Sequence, residues 1–567
     1  MKLEIFRKNK TLYSIIITVL IILLVNWISQ IIFFRIDLTS EKKYSLSKQT
    51  KTILKELKEP ILIKIYLEGE LPIAFKKLNN SIQDMLDEFQ AYAGSNIQYK
   101  FINPYDIIDR KERNKLFSSL VEKGLKPVNI NAKDKDGGNI QKIIFPGAII
   151  NYIEKEISIN ILDNNPGLSA EENLNSSREN LEYKFINAIY QIKLKEKPAI
   201  AFIEGHDELD EYSVDDITQE LSKYYKIDRV KINGINHILD PYKLIIIAKP
   251  KSRFPEKDKF VIDQYIMNGG KVIWLIEETD AEFDNLSENG SIIAQMRETN
   301  LEDQLFRYGI RINPFIVEDK QCLIIPVNNS LPGYNSNFVP AMWPYSPLLA
   351  GQQNHPVSRN LNLIKSEFAN NIDTVGENKN IKHTVLLKTS SKSRCRQIPI
   401  QINLSEAINA TPIQAYNKSN LIIAILSEGN FESVFNNRII DNFIDSSTKF
   451  ISISKPTAMI FISDGDIIKN NIRFYNQKIL IEPLGYDRYS NQTFGNKEFL
   501  LNAVDYLINP SGLINLRSRV LKIRLLDKQK IQINKINIQL INTVFPSVVI
   551  IIIGLGWFFI RKRKYTR

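Results

Sequence analysis

Cysteine and histidine are scarce in this 567-residue chain: it has two cysteines, Cys322 and Cys395, and four histidines, His206, His237, His355 and His383. Two thiols exclude a disulfide-rich scaffold and a four-cysteine zinc site, and leave open one disulfide between them. No Cys-x-x-Cys occurs, which removes dithiol redox chemistry. The chain also lacks a Gly-x-x-x-x-Gly-Lys-Ser/Thr phosphate loop, a His-Glu-x-x-His zinc helix and a Gly-x-Ser-x-Gly nucleophile elbow. Without a phosphate loop, any ATP hydrolysis has to come from another chain. Neither cysteine stands in a Gly-x-Cys-x-Gly turn, and each reads as a structural thiol.

The formal net charge of +11 does not mark a nucleic-acid surface. Much of it sits at the two ends: Lys2, Arg7, Lys8 and Lys10 against Glu4, and Arg561, Lys562, Arg563, Lys564 and Arg567 against no acid. Each basic cluster adjoins an uncharged apolar run, Leu12–Phe34 and Ile538–Ile560. A helix of roughly 34 Å is long enough to cross a bilayer core. The first run is longer than a signal-peptide core and no small-x-small cleavage site follows it, so it reads as an uncleaved anchor. Basic residues favour the cytoplasmic side, and the second run is strongly asymmetric. Two spans then place both termini in the cytoplasm and the intervening residues in the periplasm, anchored to the inner membrane. Within the first run, Asn26 and Gln30 share a helix face. They read either as residues nearing the lipid interface beside Trp27 or as contacts to a partner helix.

The expected organisation is a cytoplasmic tail (1–11), a transmembrane helix (12–34) and a small α/β domain (35–165). A large α/β domain (172–510), a membrane-proximal segment (511–537), a second transmembrane helix (538–560) and a basic tail (561–567) follow. In the small domain, Ser47 or Ser45 caps a helix running to Leu57, and the pattern continues as β-α-β-α-β-β-β with a closing helix at 176–192. That order suggests a thioredoxin-like unit. From Pro198 apolar strands alternate with helices: strands at 199–203, 227–232, 244–248 and 271–276, and helices at 215–225 and 256–267. Strands at 384–387, 421–426 and 458–463 are expected in the same doubly wound parallel sheet. Residues 322–366, rich in Pro, Asn and Gly, read as a long loop, either a binding excursion or a packed ornament.

Ligands of such sheets sit at the carboxyl ends of strands. There, Glu204-Gly205-His206-Asp207 offers His206 as a base, although a charged turn explains it more simply. Asp464-Gly465-Asp466 offers two carboxylates suited to a hard cation, against a tight Asp-Gly turn. Trp343, Tyr345 and His355 are candidate contacts for a glycan or peptide. No cofactor is implied.

A series of short motifs also carries a resemblance. It comprises Arg35-Ile36-Asp37-Leu38-Thr39, Lys43-Tyr44-Ser45-Leu46-Ser47, Asn268-Gly269-Gly270-Lys271, Trp343-x-Tyr345-x-Pro347-Leu348-Leu349, His355-Pro356 and Ile372-Asp373. Gly429-Asn430-Phe431-Glu432-Ser433, Asp464-Gly465-Asp466-Ile467-Ile468, Pro483-Leu484-Gly485-Tyr486-Asp487, Asn496-Lys497-x-Phe499, Leu516-Arg517-Ser518-Arg519 and Leu525-Leu526-Asp527 continue it. In this order they resemble the GldG family of gliding-motility-associated ABC-transporter auxiliary proteins of Bacteroidetes. The resemblance implies a non-enzymatic subunit working with a multi-span permease (GldF-like) and a cytoplasmic ATPase (GldA-like). It also implies an outer domain of the Gld/intraflagellar-transport type, a degenerate relative of glutamine amidotransferases without their nucleophile. Two other expectations stand beside it: an anchored glycan- or peptide-binding module, and an anchored hydrolase or amidotransferase-like enzyme using His206, Asp464 and Asp466.

Overall fold

The computed structural model describes residues 17–24, 45–133, 139–163, 169–194, 196–330, 335–376, 380–408, 411–444, 449–475, 478–509, 512–518 and 534–566. Residues 17–24 are helical. The remainder of the expected first span, with Asn26 and Gln30, lies outside the described residues. The chain divides into two compact units. One holds the α/β body and the other the C-terminal helix.

The body contains two main sheets. The smaller is built from β1 (Ile61–Ile65), β2 (Ile97–Phe101), β5 (Gly147–Tyr152) and β6 (Lys155–Asn160), in the order β2-β1-β5-β6. β3 (Val128–Lys133) and β4 (Asn139–Ile144) form a separate hairpin. β1 runs parallel to β2 and antiparallel to β5. Helix α1 (Lys48–Lys55) starts where Ser47 accepts the Thr50 N–H at 2.9 Å, which satisfies one of the unpaired amides of its first turn. Helix α2 (Ile73–Ala93) buries Leu78, Ile82, Leu86 and Phe89 at helical spacing against Ile61, Ile63 and Ile65. Helix α3 (Arg110–Glu122) caps on Asp109, and its Leu120 packs with Tyr66, Phe145 and Ile149 in a second core.

The closing helix of this unit differs from the expectation. It is a pair, α4 (Ala170–Glu179) and α5 (Leu181–Lys193), meeting at Asn180. Ser169 and Glu172 form a reciprocal cap that starts the pair upstream of the apolar run. Leu174, Phe185, Ile186 and Ile189 belong to the small sheet's core, as do Leu513 and Leu516 after the large sheet. The small layer is therefore closed in part by Leu513 and Leu516, which the expected organisation placed in the membrane-proximal segment.

The larger sheet runs β7 (Ala199–Glu204), β8 (Lys226–Lys231), β9 (Leu244–Ala248), β10 (Lys271–Leu275), β11 (Cys322–Asn328), β12 (Phe338–Gly351), β13 (Ile381–Lys388), β14 (Ile422–Gly429) and β15 (Thr457–Ile462) in sequence. In space the order is β11-β12-β13-β14-β15-β10-β9-β7-β8. Only β8, β7, β9, β10 and β15 are mutually parallel. β14, β13, β12 and β11 join antiparallel, so the sheet is mixed, not uniformly parallel. The parallel part has the doubly wound order 2-1-3-4-5. Its strands alternate between two cores: Leu244, Ile246, Ile273 and Ile460 face one, and Ile245, Ile247, Val272 and Phe461 the other. Helices α6 (Asp215–Ser222) and α8 (Asn496–Ile508) cover the first face, and α7 (Glu256–Met267) the second. Burial on both faces is why these strands read as unbroken apolar runs.

The expected long loop at 322–366 is mostly the β11–β12 hairpin. Its prolines fit because Pro326 lies opposite Pro340 on an edge strand, and β12 meets β13 only through Ala350 and Gly351. Few ladder donors are lost.

The second unit is helix α9 (Lys535–Tyr565), 31 residues long, apolar from Ile538 to Ile560 and ending in Arg561, Lys562, Arg563 and Lys564. Among the described residues it is the one helix long and apolar enough to cross a membrane.

Candidate functional site

Three strands of the parallel sheet end in charge. Lys249 follows β9, Glu277 and Glu278 follow β10, and Asp464-Gly465-Asp466 follows β15. Parallel neighbours bring these ends together. The Lys249 side chain is fully buried, and its Nζ lies 2.6 Å from Asp466 Oδ2, 3.3 Å from Glu277 Oε1 and 3.2 Å from Glu282 Oε2. Its backbone has φ +53°, an uncommon left-handed conformation that turns the side chain across the strand ends. Gly465 makes room for that crossing: a Cβ there would meet the Cβ and Cγ of Lys249 at 2.5 Å. The glycine of the Asp-Gly-Asp motif thus serves a residue more than two hundred positions away.

The carboxylates are held by backbone. Gly465 N donates to Glu277 Oε1 (2.9 Å), Asp466 N to Asp464 Oδ1 (2.8 Å) and Glu367 N to Asp464 Oδ2 (2.9 Å). Glu277, Asp464 and Asp466 each bring an oxygen within 4.8 Å of the others. Arg297 Nη2 approaches Glu282 Oε1 at 3.5 Å, and Lys251 Nζ reaches the same oxygen at 3.1 Å.

Burial, reinforced by neighbouring acids and offset in part by Lys249, pushes the Glu277 carboxyl up to about 7. The same causes hold Asp464 well above the usual carboxylate range. Burial would also raise Asp466, but Lys249 and Lys469 overcome it and lower the group. Burial disfavours the Lys249 ammonium, yet the carboxylates of Asp466, Glu277 and Glu282 hold its pKa well above the ordinary value. The charged pair is therefore Lys249 with Asp466, while burial favours the neutral form of Asp464.

Above the cluster opens a cleft of about 880 Å3. Asp466, Lys469, Lys365 and Glu367 line it, with Leu323 and Phe338 from the β11–β12 hairpin and Tyr486 and Tyr489 among the other lining residues. Lys365 Nζ bonds Glu367 Oε1 at 3.0 Å, and Lys469 Nζ bonds Asp284 Oδ2 at 3.2 Å.

Sequence reasoning found Asp464 and Asp466 but missed Lys249, Glu277 and Glu367. The signal for two of them was there: a lysine and a glutamate pair directly after wholly apolar strands. His206 does not join this cluster. Both its ring nitrogens are engaged, Nδ1 with Glu208 Oε1 (2.9 Å) and Nε2 with Asp258 Oδ2 (3.0 Å). The ring also stacks on Phe254 at 3.6 Å between centroids. Burial opposes its charge, but the two carboxylates prevail and raise its pKa to about 9. Lys251 N and Ser252 N donate to the His206 carbonyl at 2.9 and 3.0 Å, which ties the segments after β7 and β9 together where this strand order reverses.

Trp343 and Tyr345 do not line a groove. They are 0% and 1% exposed, packed with Ile316, Phe368 and Ile402, and Tyr345 OH donates to Glu406 Oε2 at 2.9 Å. His355 packs against Tyr506, ring centroids 4.9 Å apart, and burial with Lys382 nearby lowers its pKa to about 4. The two cysteines are free; burial pushes the Cys322 thiol up to about 12. The Asn268-Gly269-Gly270-Lys271 motif is structural: a Cβ on Gly270 would sit 2.4 Å from the Tyr265 ring, and Lys271 Nζ caps the Leu507 carbonyl of α8.

An uncharacterized protein of Borreliella burgdorferi is 22% identical over 571 aligned positions, spanning 98% of this chain and 99% of its own. Among solved structures, the mmIFT52 N-terminal domain aligns with 55% of this chain and 97% of its own, at 16% identity and a TM-score of 0.31. A ThuA-like protein from Parabacteroides merdae aligns with 56% of this chain and 91% of its own, at 13% identity and a TM-score of 0.27. Residues 40–151 match a domain of unknown function, DUF7088. Residues 197–503, more than half of the chain and the whole of the large sheet, match the family described as the ABC-type uncharacterized transport system, and the protein belongs to that family.

Proposed function

We propose that this chain is a non-enzymatic auxiliary subunit of an inner-membrane ABC transporter, assembled with a multi-span permease and a separate ATPase. The family membership carries the proposal. The apolar α9 with its basic end supports a membrane-held subunit whose C-terminus is cytoplasmic. A second span at 12–34 would place the α/β body in the periplasm. The absence of a phosphate loop from the sequence agrees with hydrolysis by a partner. Coupling through the body would then be mechanical or recognitional.

Two finer assignments belong to the same proposal. The small sheet's order β2-β1-β5-β6, parallel at β1–β2 and antiparallel beyond, supports a thioredoxin-like unit without its dithiol. The doubly wound part of the large sheet, without a nucleophile elbow, supports a degenerate amidotransferase-like domain of the Gld/intraflagellar-transport type. The motif resemblance adds a role in gliding, which a deletion strain that still glides at the wild-type rate would refute.

The test is gentle detergent extraction of the tagged full-length chain. A permease and a nucleotide-hydrolysing chain should co-purify in fixed ratio, and the isolated protein should hydrolyse no ATP. A lone monodisperse monomer, or ATP turnover by the isolated chain that follows its own variants, would overturn the assignment. A ligand-binding role for the outer body has one observation in its favour, the cleft above Asp466, which takes the place of the expected aromatic loop.

A further inference from the structure

The Lys249 cluster leaves an imbalance that its own hydrogen bonds do not remove. Lys249 Nζ uses Asp466 Oδ2 and Glu277 Oε1, and Gly465 N also donates to that Glu277 oxygen. The other oxygens, Asp466 Oδ1 and Glu277 Oε2, are sealed from solvent and accept no hydrogen bond from the described residues. The cation nearest Asp466 Oδ1 is Lys469 Nζ at 4.0 Å, which is shared with Asp284. Asp464, between them, has each oxygen occupied by one backbone N–H, leaving a lone pair free on both. The carboxyl groups of Glu277, Glu282, Asp464 and Asp466 face Lys249, Lys251, Arg297 and, at 4.0 Å, Lys469, so it is the two unpartnered oxygens rather than the net charge that the cluster leaves unmet. A buried carboxylate oxygen left without a partner is destabilising, so two in one cluster call for an occupant.

We infer that Glu277, Asp464 and Asp466 form a binding site for one hard divalent cation of the calcium or magnesium class. Three carboxylates with oxygens within 4.8 Å of one another, and no nitrogen or sulfur ligand, select such an ion over zinc or copper. Lys249 does not compete for the same atoms. It engages Asp466 Oδ2 and Glu277 Oε1, which leaves Asp466 Oδ1 and Glu277 Oε2 for the ion. Glu277 distinguishes this site from a solvated Asp-Gly-Asp turn, because it comes from β10 and is buried whatever the turn does. Asp466 also lines the cleft, so an ion held there would lie against the cleft wall. The inference does not rest on the transport assignment and survives its failure.

The test uses the full-length protein in detergent, stripped with EDTA and dialysed against calcium-45, with magnesium chloride as competitor. One ion per chain is expected to bind with a dissociation constant below 1 mM, and its addition should raise the unfolding temperature. Glu277→Gln should weaken binding at least tenfold while leaving the protein folded by circular dichroism. Absence of saturable calcium or magnesium binding to the wild-type chain overturns the inference, and this result needs no variant to fold. Binding that Glu277→Gln and Asp464→Asn both leave unchanged also overturns it, since the ion is then held at surface carboxylates.

Discussion

Lys249 Nζ lies 2.6 Å from Asp466 Oδ2, joining residues 217 positions apart across the carboxyl ends of β9 and β15. The Lys249 side chain is fully buried and that of Asp466 is only 7% exposed at the cleft, so water compensates little. Lys249→Met should therefore leave Asp466 buried and uncompensated, at a cost of about 3–5 kcal/mol in denaturant unfolding. Lys249→Met with Asp466→Asn should recover part of that loss, because the unpaired charge is then gone. Equal loss in the single and double variants would show that the pair is not coupled.

Gly465→Ala probes the same crossing from the other side. Its Cβ would meet Lys249 carbons at 2.5 Å, with the buried lysine stem unable to swing into solvent. A loss of about 1–3 kcal/mol is expected, typical of overpacking. Gly205→Ala is the contrast: nothing lies within 4 Å of its Cβ, and φ +119° alone sets the cost. If Gly465→Ala unfolds at the wild-type midpoint, Lys249 does not hold the position described.

The pH dependence of stability should report His206. Its carboxylate partners lift the folded pKa to about 9 against about 6.5 in the unfolded chain. The group binds its proton more tightly when folded, so its contribution is complete below about pH 6.5 and is lost as pH rises through 9. The full effect is about 3 kcal/mol. Unfolding free energies at pH 6 and pH 9.5 measure it, and His206→Gln should flatten this part of the profile. An identical slope in both proteins would mean that the imidazole is not charged between Glu208 and Asp258.

Much of the fold is legible in the sequence where one physical cause dominates. Leu244–Ala248 is apolar at every position because both faces of the strand are buried. Helix Glu256–Met267 is bounded by Pro255 and by Gly269-Gly270, and the second glycine is needed because Tyr265 packs over it. Strand direction was not legible: Ile422–Gly429 has the same apolar pattern whether it runs with or against Thr457–Ile462. The β11–β12 hairpin was hidden because proline signals a loop unless the edge position is known. The candidate site was half visible. Asp464 and Asp466 stand together in the chain, whereas Lys249 and Glu277 meet them only through the strand order, which no local pattern encodes.

Trp343 separates a structural from a ligand-binding role for the hairpin. The indole is fully buried beside Tyr345, with ring centroids 4.9 Å apart. Trp343→Ala should cost about 3–5 kcal/mol by leaving a large cavity. Phe338, 64% exposed at the cleft, should tolerate alanine within about 0.5 kcal/mol. Should the two variants lose similar stability, the two faces of the hairpin are not inequivalent in the way described.

Membrane topology tests the arrangement as a whole. At 1.5 Å per residue, helix Lys535–Tyr565 is about 46 Å long, more than a bilayer core requires, and its charges are one-sided. Arg561–Lys564 follow the apolar stretch directly, whereas Lys535 is the only basic residue close before it. A reporter fused after Arg567 should therefore behave as cytoplasmic. Replacing Arg561, Lys562, Arg563 and Lys564 with glutamine should weaken that preference, because the bias comes from these side chains and not from the helix itself. With an uncleaved first span, a reporter fused ahead of Leu12 should fall on the same side as one after Arg567. Reporters on opposite sides would mean that only one of the two apolar runs crosses.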